Sequence, residues 1–451
     1  MFNFLKKLFQ KATPDAAQFR VDEDETAAEE TPAPRFLHRE PILNKAQQID
    51  AYEFSLERPQ ADTRREWLPS SRHFFDEALL TQLSDNRVSA LAGKRLAFVS
   101  LRPDALGSPL LRGLPAANTV ISLLEGEDGN ADTANDIIAQ GTGLKSTGFR
   151  LACPNTFADT PLAPLLQIAD FITLSVTGLA PPDMLAITRA EQKAFPSAKL
   201  IARGVDSPEL FDACKAMHFD YFLGRYLTQP RQQREPNLST QRIVVSELIG
   251  QLKRREPDFD KLAMIARQDL VLTIRLLRYI NSAAMGLSHK IGSLEQAMTY
   301  IGHDGLYRWL TLLLFYNSKS SEVDQALRET ALARARFCEQ LARRRLSKTD
   351  CEQAFVAGML SMADVLFQMP MQEALGHLGL PEDIQLALLE KKGKYGVFVG
   401  LAIASESGDG EEIARYAAQI GLDPEQVNAL HMESLAWAVE YGENLENTPS
   451  L

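Results

Sequence analysis

The chain has 451 residues, 45% hydrophobic and 24% charged, enough for two or three cores at ~100–200 residues each. Its 48 Lys and Arg against 59 Asp and Glu leave a formal charge of -11, which argues against binding nucleic acid or anionic lipid through bulk charge and leaves room only for a local basic patch. No apolar run approaches the ~18 residues of a membrane span. The four cysteines, Cys153, Cys214, Cys338 and Cys351, stand in apolar runs without CxxC spacing, which suits a reducing cytoplasm better than a disulfide framework or a zinc knuckle.

Residues 1–12, MFNFLKKLFQKA, are predicted to form a short amphipathic helix, with Phe2, Leu5 and Phe9 on one side and Lys6, Lys7 and Lys11 toward the other. Its apolar part is too short for a secretory signal and lacks a small-residue cleavage site. Two readings stay open for it: an end that folds back on the body, or weak attachment to a membrane surface or partner groove, which one such helix provides poorly. Residues 13–34, with DEDE and AEETPAP, cannot bury enough apolar surface to offset ordering and read as a disordered acidic, proline-bearing linker.

Residues 35–232 alternate short β-rich runs with helical segments, the pattern of an α/β domain. The runs are FLHREPIL, AYEFSLE, RLAFVSL, TVISLLE, FRLAC, FITLSV, KLIARGV and YFLG. Only NKAQQID separates the first two, too short for a parallel crossover, so that pair is expected to be an antiparallel hairpin. The other connections, such as FFDEALLTQLSD and PELFDACKAM, hold helices that return the chain to the same end of the sheet. The expected fold is a TIM-like barrel with an antiparallel first strand.

The polar segment QPRQQREPN reads as a linker. Residues 238–441 then read as an all-helical domain, with Leu270, Ile274, Leu277 and Asn281, and again Ala331, Ala335, Cys338 and Ala342, at helical spacing. Residues 442–451 read as a polar tail.

Both halves resemble known families. The opening REPILNKAQQIDAYEFSLE and the closing FDACKAMHFDYFLGRYLTQP resemble EAL domains, the barrel phosphodiesterases of cyclic di-GMP signalling, with the Glu-Ala-Leu signature falling on Glu53-Phe54-Ser55. The segment DLVLTIRLLRYINSAAMGLSHKIGSLEQAMTYIGHDGLYRWLTLLL closely resembles HDOD domains, helical relatives of the HD phosphohydrolases, through Leu276, Leu277, Arg278, Asn281 and Ser282 and through Gln296, Ala297, Ile301 and Gly302. An EAL-like domain followed by an HDOD domain is a known arrangement in bacterial signal transduction.

The EAL resemblance implies two divalent cations, which need hard oxygen ligands at strand ends. Glu53 matches the signature glutamate. Ser100 stands where the family has a ligating Asn and Ser122 where it has Glu. Cys153 and Pro154 fall on the paired Asp, Thr173 on a Lys, Arg203 on a Glu and Leu223 on the Gln of the final turn. Neutral side chains and a fixed guanidinium cannot replace carboxylates around a cation, so hydrolysis is expected to be lost and the pocket vestigial. Arg203 and Arg225 are candidate phosphate-binding residues. Against that, Arg203 would pair with Glu53 across the pocket. Glu125, Glu127 and Asp128, at a strand exit, read as a solvated loop.

In the helical half, His303-Asp304 mimics an HD dipeptide, but it lies after Ile-Gly and is read as initiating the next helix. The true HD position falls on Ser361 and Met362, with Asp364 nearby and no His partner in its segment, so no catalytic metal is expected. His377 and His431 lack metal-ligand spacing. Arg275 and Arg278, and the run Arg343, Arg344, Arg345, read as solvated helix faces, and without interleaved aromatics they make no platform for single-stranded nucleic acid. Trp309 reads as core. No GxSxG, Walker loop or GxGxxG opens a helix after a strand.

The sequence therefore leads to the expectation of a non-enzymatic, cytoplasmic signalling scaffold of the EAL-HDOD type. It would lie free or peripheral to the inner membrane, need no cofactor or metal and bind no nucleic acid. It would act through contacts with signalling proteins in processes such as motility, attachment or type IV pilus function. The alternatives are a cyclic di-GMP receptor without hydrolysis, or a residual phosphodiesterase.

Overall fold

The computed structural model describes residues 36–56, 69–84, 87–125, 131–228, 240–252, 294–315, 322–376 and 380–446, with single positions between 262 and 291 and Leu378. The helix expected at residues 1–12, the linker at 13–34, the segment QPRQQREPN, and Leu270, Ile274, Arg275, Leu277, Arg278 and Ser282 of the HDOD-like run lie outside them, as do Glu127, Asp128 and His377.

Eight strands close into a barrel in chain order: β1 Leu37–Asn44, β2 Ile49–Leu56, β3 Leu96–Leu101, β4 Thr119–Leu123, β5 Arg150–Pro154, β6 Phe171–Ser175, β7 Lys199–Arg203 and β8 Tyr221–Leu223. As expected from the short NKAQQID stretch, of which only residues 45–48 lie between the strands, β1 runs antiparallel to β2, and it is antiparallel to β8 as well; every other neighbouring pair is parallel. Asn44 builds the hairpin turn, its side-chain oxygen accepting from the backbone N–H of Ala46 at 2.9 Å and of Gln48 at 3.0 Å, the local competition for backbone donors that favours Asn in turns.

Alternate residues of each strand point inward. Ile42, Ala51, Phe98, Val120, Ala152, Phe171, Ile201 and Leu223 fill the barrel as one cluster. The opposite faces pack under the helices α1 Pro69–Leu83, α2 Arg87–Ala92, α3 Ala131–Ser146, α4 Pro164–Ile168, α5 Pro181–Ala194 and α6 Pro208–Ala216. Because side chains fill the barrel's centre, any site must sit at the end where the parallel strands finish.

The second half is helical throughout its described elements: α7 Thr240–Leu252, α8 Leu294–Leu314, α9 Glu322–Ala342, α10 Lys348–Leu360, α11 Ala363–Phe367, α12 Met371–Gly376, α13 Glu382–Glu390, α14 Gly393–Ser407, α15 Gly410–Gln419 and α16 Pro424–Glu446. The last helix runs through Glu446, so the polar tail expected from residue 442 starts later. Gly302 breaks α8 with φ 71°, a conformation that costs a residue with a Cβ. The new helix begins at His303-Asp304, where His303 contacts Asp304 and the Leu252 carbonyl at 2.8 Å. Asn281 pins a chain return, donating to the Ile291 carbonyl and accepting from the Ile291 N–H, both at 2.8 Å. Trp309 is buried beside Tyr279.

No helix among the described residues is long and apolar enough to cross a membrane. All four cysteines are buried and unbonded to each other.

Candidate functional site

The ends of β2 to β7 surround a cavity of about 510 Å³, lined among others by Ser55, Asp76, Ser100, Pro154, Thr173 and Arg203. At its base, Glu53 on β2 is buried and receives Arg203 from β7 in a close ion pair. Ser122 on β4 joins both, its hydroxyl donating to Glu53 Oε1 at 3.1 Å and accepting from Arg203 Nη2 at 3.1 Å. The three side chains form one network across the barrel. Ser100 Oγ is buried close by with no hydrogen-bond partner among the described residues, and Thr173 is buried too. On the rim, Arg102 grips Asp76 with Nε at 3.0 Å and Nη2 at 2.8 Å.

Two residues expected in this pocket are not there. Cys153 faces outward, its thiol within 3.9 Å of the Leu165 carbonyl beneath α4, because β5 alternates and Pro154 takes the inward position. Burial pushes the Cys153 thiol up to about 12. Leu223 points inward but belongs to the apolar filling of the barrel, paired across strands with Ile42 and Arg203. Arg225 lies just beyond β8, largely exposed, with its backbone N–H donating to Asp206 at 3.0 Å, and it borders a second cavity.

Glu40 is the residue that sequence reading missed. It stands directly opposite Glu53 in the β1–β2 register, so the two carboxylates face the same interior. Burial raises the Glu40 carboxyl; His38 counters that and Glu53 adds to it. The signal was present, since a hairpin of known turn fixes which residues oppose each other.

Glu53 is paired with Arg203 and Asp76 with Arg102, and Ser100, Ser122 and Thr173 are neutral, while Glu125, read from the sequence as part of a solvated loop, lines the cavity and Glu40 stands opposite Glu53; hard cations need several carboxylates. No group of three or more His, Cys, Asp or Glu able to hold a metal is found among the described residues.

The helical half presents its own expected site against the barrel. Ser361 is gripped by Arg334 of α9, whose Nη1 reaches its hydroxyl at 2.8 Å; Met362 is buried. Arg334 also holds Glu406 of α14 through Nε at 2.8 Å and Nη2 at 2.5 Å. Arg343 pairs with Glu339 at 3.0 Å, and Arg344 and Arg345 are exposed.

Residues 238–380 match the HDOD domain family. The helical half carries an HDOD domain. The helices α13 to α16 continue beyond the matched stretch. The chain is 23% identical over 410 residues to the cyclic di-GMP phosphodiesterase CdgJ of Vibrio cholerae, covering 91% of this chain and 94% of that protein. It is 25% identical over 415 residues to the uncharacterized protein YuxH of Bacillus subtilis, covering 89% and 97%. Among solved structures, the barrel is similar to a standalone EAL protein of Vibrio cholerae O395 in its c-di-GMP-bound form, with 16% identity, a TM-score of 0.37, and coverage of 44% of this chain and 92% of that one.

These findings correct one expectation. The chain was expected not to be an enzyme, yet the Vibrio cholerae relative that aligns along nearly its whole length is named a phosphodiesterase, so the substitutions at the barrel mouth do not by themselves remove this chain from the enzymes.

Proposed function

We propose that this chain works in cyclic di-GMP signalling, with the barrel mouth as the ligand site and the HDOD domain passing the barrel's state to other proteins by direct contact. The observation that carries the reading is the continuity from mouth to helical domain. Glu53, which holds Arg203, is preceded along β2 by its neighbour Tyr52, whose hydroxyl donates to Glu329 of α9 in a close hydrogen bond. A ligand phosphate offers Arg203 a bidentate partner that competes with Glu53. Losing that pair leaves Glu53 buried without its counter-charge, a change felt on the strand that contacts the HDOD domain.

Hydrolysis is the second reading, favoured by the name of the Vibrio cholerae relative. It requires Arg203 to release Glu53. Calorimetric titration of the full chain with cyclic di-GMP, with and without Mg²⁺ or Mn²⁺, followed by chromatography of the products, tests both. Saturable binding weakened at least tenfold in Arg203→Ala is the expected result. Linear product that disappears in Glu53→Ala supports the second reading, and absence of binding under every condition overturns the assignment of the mouth as the ligand site.

A further inference from the structure

A second cavity, of about 310 Å³, lies where the barrel rim meets the HDOD domain. His38, Glu40 and Arg225 reach it from the barrel; Arg334, Asp364 and His431 reach it from α9, α11 and α16. The cations around it are already committed. Arg334 holds Glu406 and Ser361, Arg225 lies by Asp206, and Arg39, further along β1, pairs with Glu329 at 3.6 Å and donates to the Leu91 carbonyl at 2.9 Å. His38 contacts the Glu406 carbonyl at 2.8 Å through Nε2.

The groups left over are acceptors. Glu40 has no hydrogen-bond donor among the described residues, and Asp364 accepts only from backbone N–H groups, that of Val365 at 2.9 Å. His431 is 6% exposed and makes no hydrogen bond among the described residues, its ring resting 5.1 Å from that of Phe337. Burial first, then Arg39 and His38, depress the imidazole to about 3, so it is neutral and offers a ring nitrogen lone pair. Burial likewise raises the Asp364 carboxyl. Glu40 and Asp364 are half-buried and His431 is buried, and a donor placed among such acceptors gains hydrogen bonds that the cavity walls do not supply.

We propose that this junction cavity binds a small organic cation bearing primary amine or guanidinium groups, with Glu40 and Asp364 as its anionic acceptors and His431 as a neutral one. The charge pairs already present leave no cation for an anionic ligand to claim, while an ammonium supplies the missing donors and counter-charge together. Ile403 and Leu435 give the cavity an apolar wall that suits a short methylene chain. The proposal does not rest on cyclic di-GMP binding at the barrel mouth, although Glu40 stands opposite Glu53 there, and because the cavity walls come from both halves, occupancy would tie them together.

The test is calorimetric titration of the full-length chain with butane-1,4-diamine and agmatine, against butane-1,4-diol and succinate as uncharged and anionic counterparts of similar length. The expected result is saturable one-to-one binding of an amine, none of the diol or succinate, and at least tenfold weaker binding in Glu40→Gln/Asp364→Asn. Hydrogen–deuterium exchange on the unmutated chain should show protection by the amine at residues 37–44 and 363–367, and this decides the matter if the double variant fails to fold. No saturable heat and no protection with either amine, equal binding of the diol, or full binding by the folded double variant would overturn the proposal and leave the cavity to water.

Discussion

Tyr52 of the barrel donates its hydroxyl to Glu329 of the HDOD domain, inside a cluster in which Arg95 Nη1 lies 2.9 Å from Glu329 and the Arg39 guanidinium lies 4.0 Å from the centre of the Tyr52 ring. Glu329 is 6% exposed. Removing the carboxylate strands two arginines, whereas removing the hydroxyl leaves the ion pairs in place. Glu329→Ala is therefore expected to cost about 3–5 kcal/mol and Tyr52→Phe about 1 kcal/mol, read by urea denaturation. Equal losses would mean that the arginines find other partners.

Glu339 of α9 accepts from Arg308 at 3.0 Å and Arg336 at 2.7 Å. Burial works to raise its carboxyl, but the two arginines outweigh that and bring it to about 2. A depressed carboxylate stabilises the fold above its unfolded value and ceases to do so as pH falls toward the folded one. Stability contributed by Glu339, roughly 3 kcal/mol at neutral pH, is thus expected to fade between about pH 5 and pH 2. In denaturation curves, Glu339→Gln should be much less stable than the parent at pH 7 and should converge with it as the pH approaches 2. A constant gap would locate the effect in packing.

Gly358 of α10 lies so close to α9 that an added Cβ would stand 2.7 Å from Ala335 Cα and 2.8 Å from the Arg334 carbonyl oxygen. Backbone cannot yield as a side-chain tip can. Gly358→Ala is expected to lose about 1–3 kcal/mol by overpacking, in spite of alanine's better helix propensity. A stabilised variant in a thermal melt would show that the two helices separate easily.

The Cys153 and Cys338 thiols are pushed up to about 12 by burial, and Cys214 to about 11. Thiolate is the reactive form. At pH 8 the folded chain is expected to react slowly with a disulfide reagent such as dithionitrobenzoate, and to release four equivalents only in denaturant. Rapid reaction of a thiol in the native protein would contradict the packing described.

Much of the fold was legible because it rests on local periodicity. Eight β-rich runs with helix-length connections give an eight-stranded barrel, and NKAQQID could only be a hairpin. The pairing of Arg203 with Glu53 was legible too, since both fall at strand ends that a barrel brings to one rim. Cys153 was misplaced because one residue of slip along β5 exchanges the inner face for the outer. Glu40 went unnoticed although its register partner was named.

The order of residues by itself determined the barrel and the helical domain that follows it, because alternation and helical spacing are properties of short stretches. Only the tertiary structure decided that Tyr52 meets Glu329, 277 positions away, and that Glu40, Asp364 and His431 share one cavity. Those meetings depend on how two cores pack, and the distance along the chain between such partners leaves no local pattern from which they could be read.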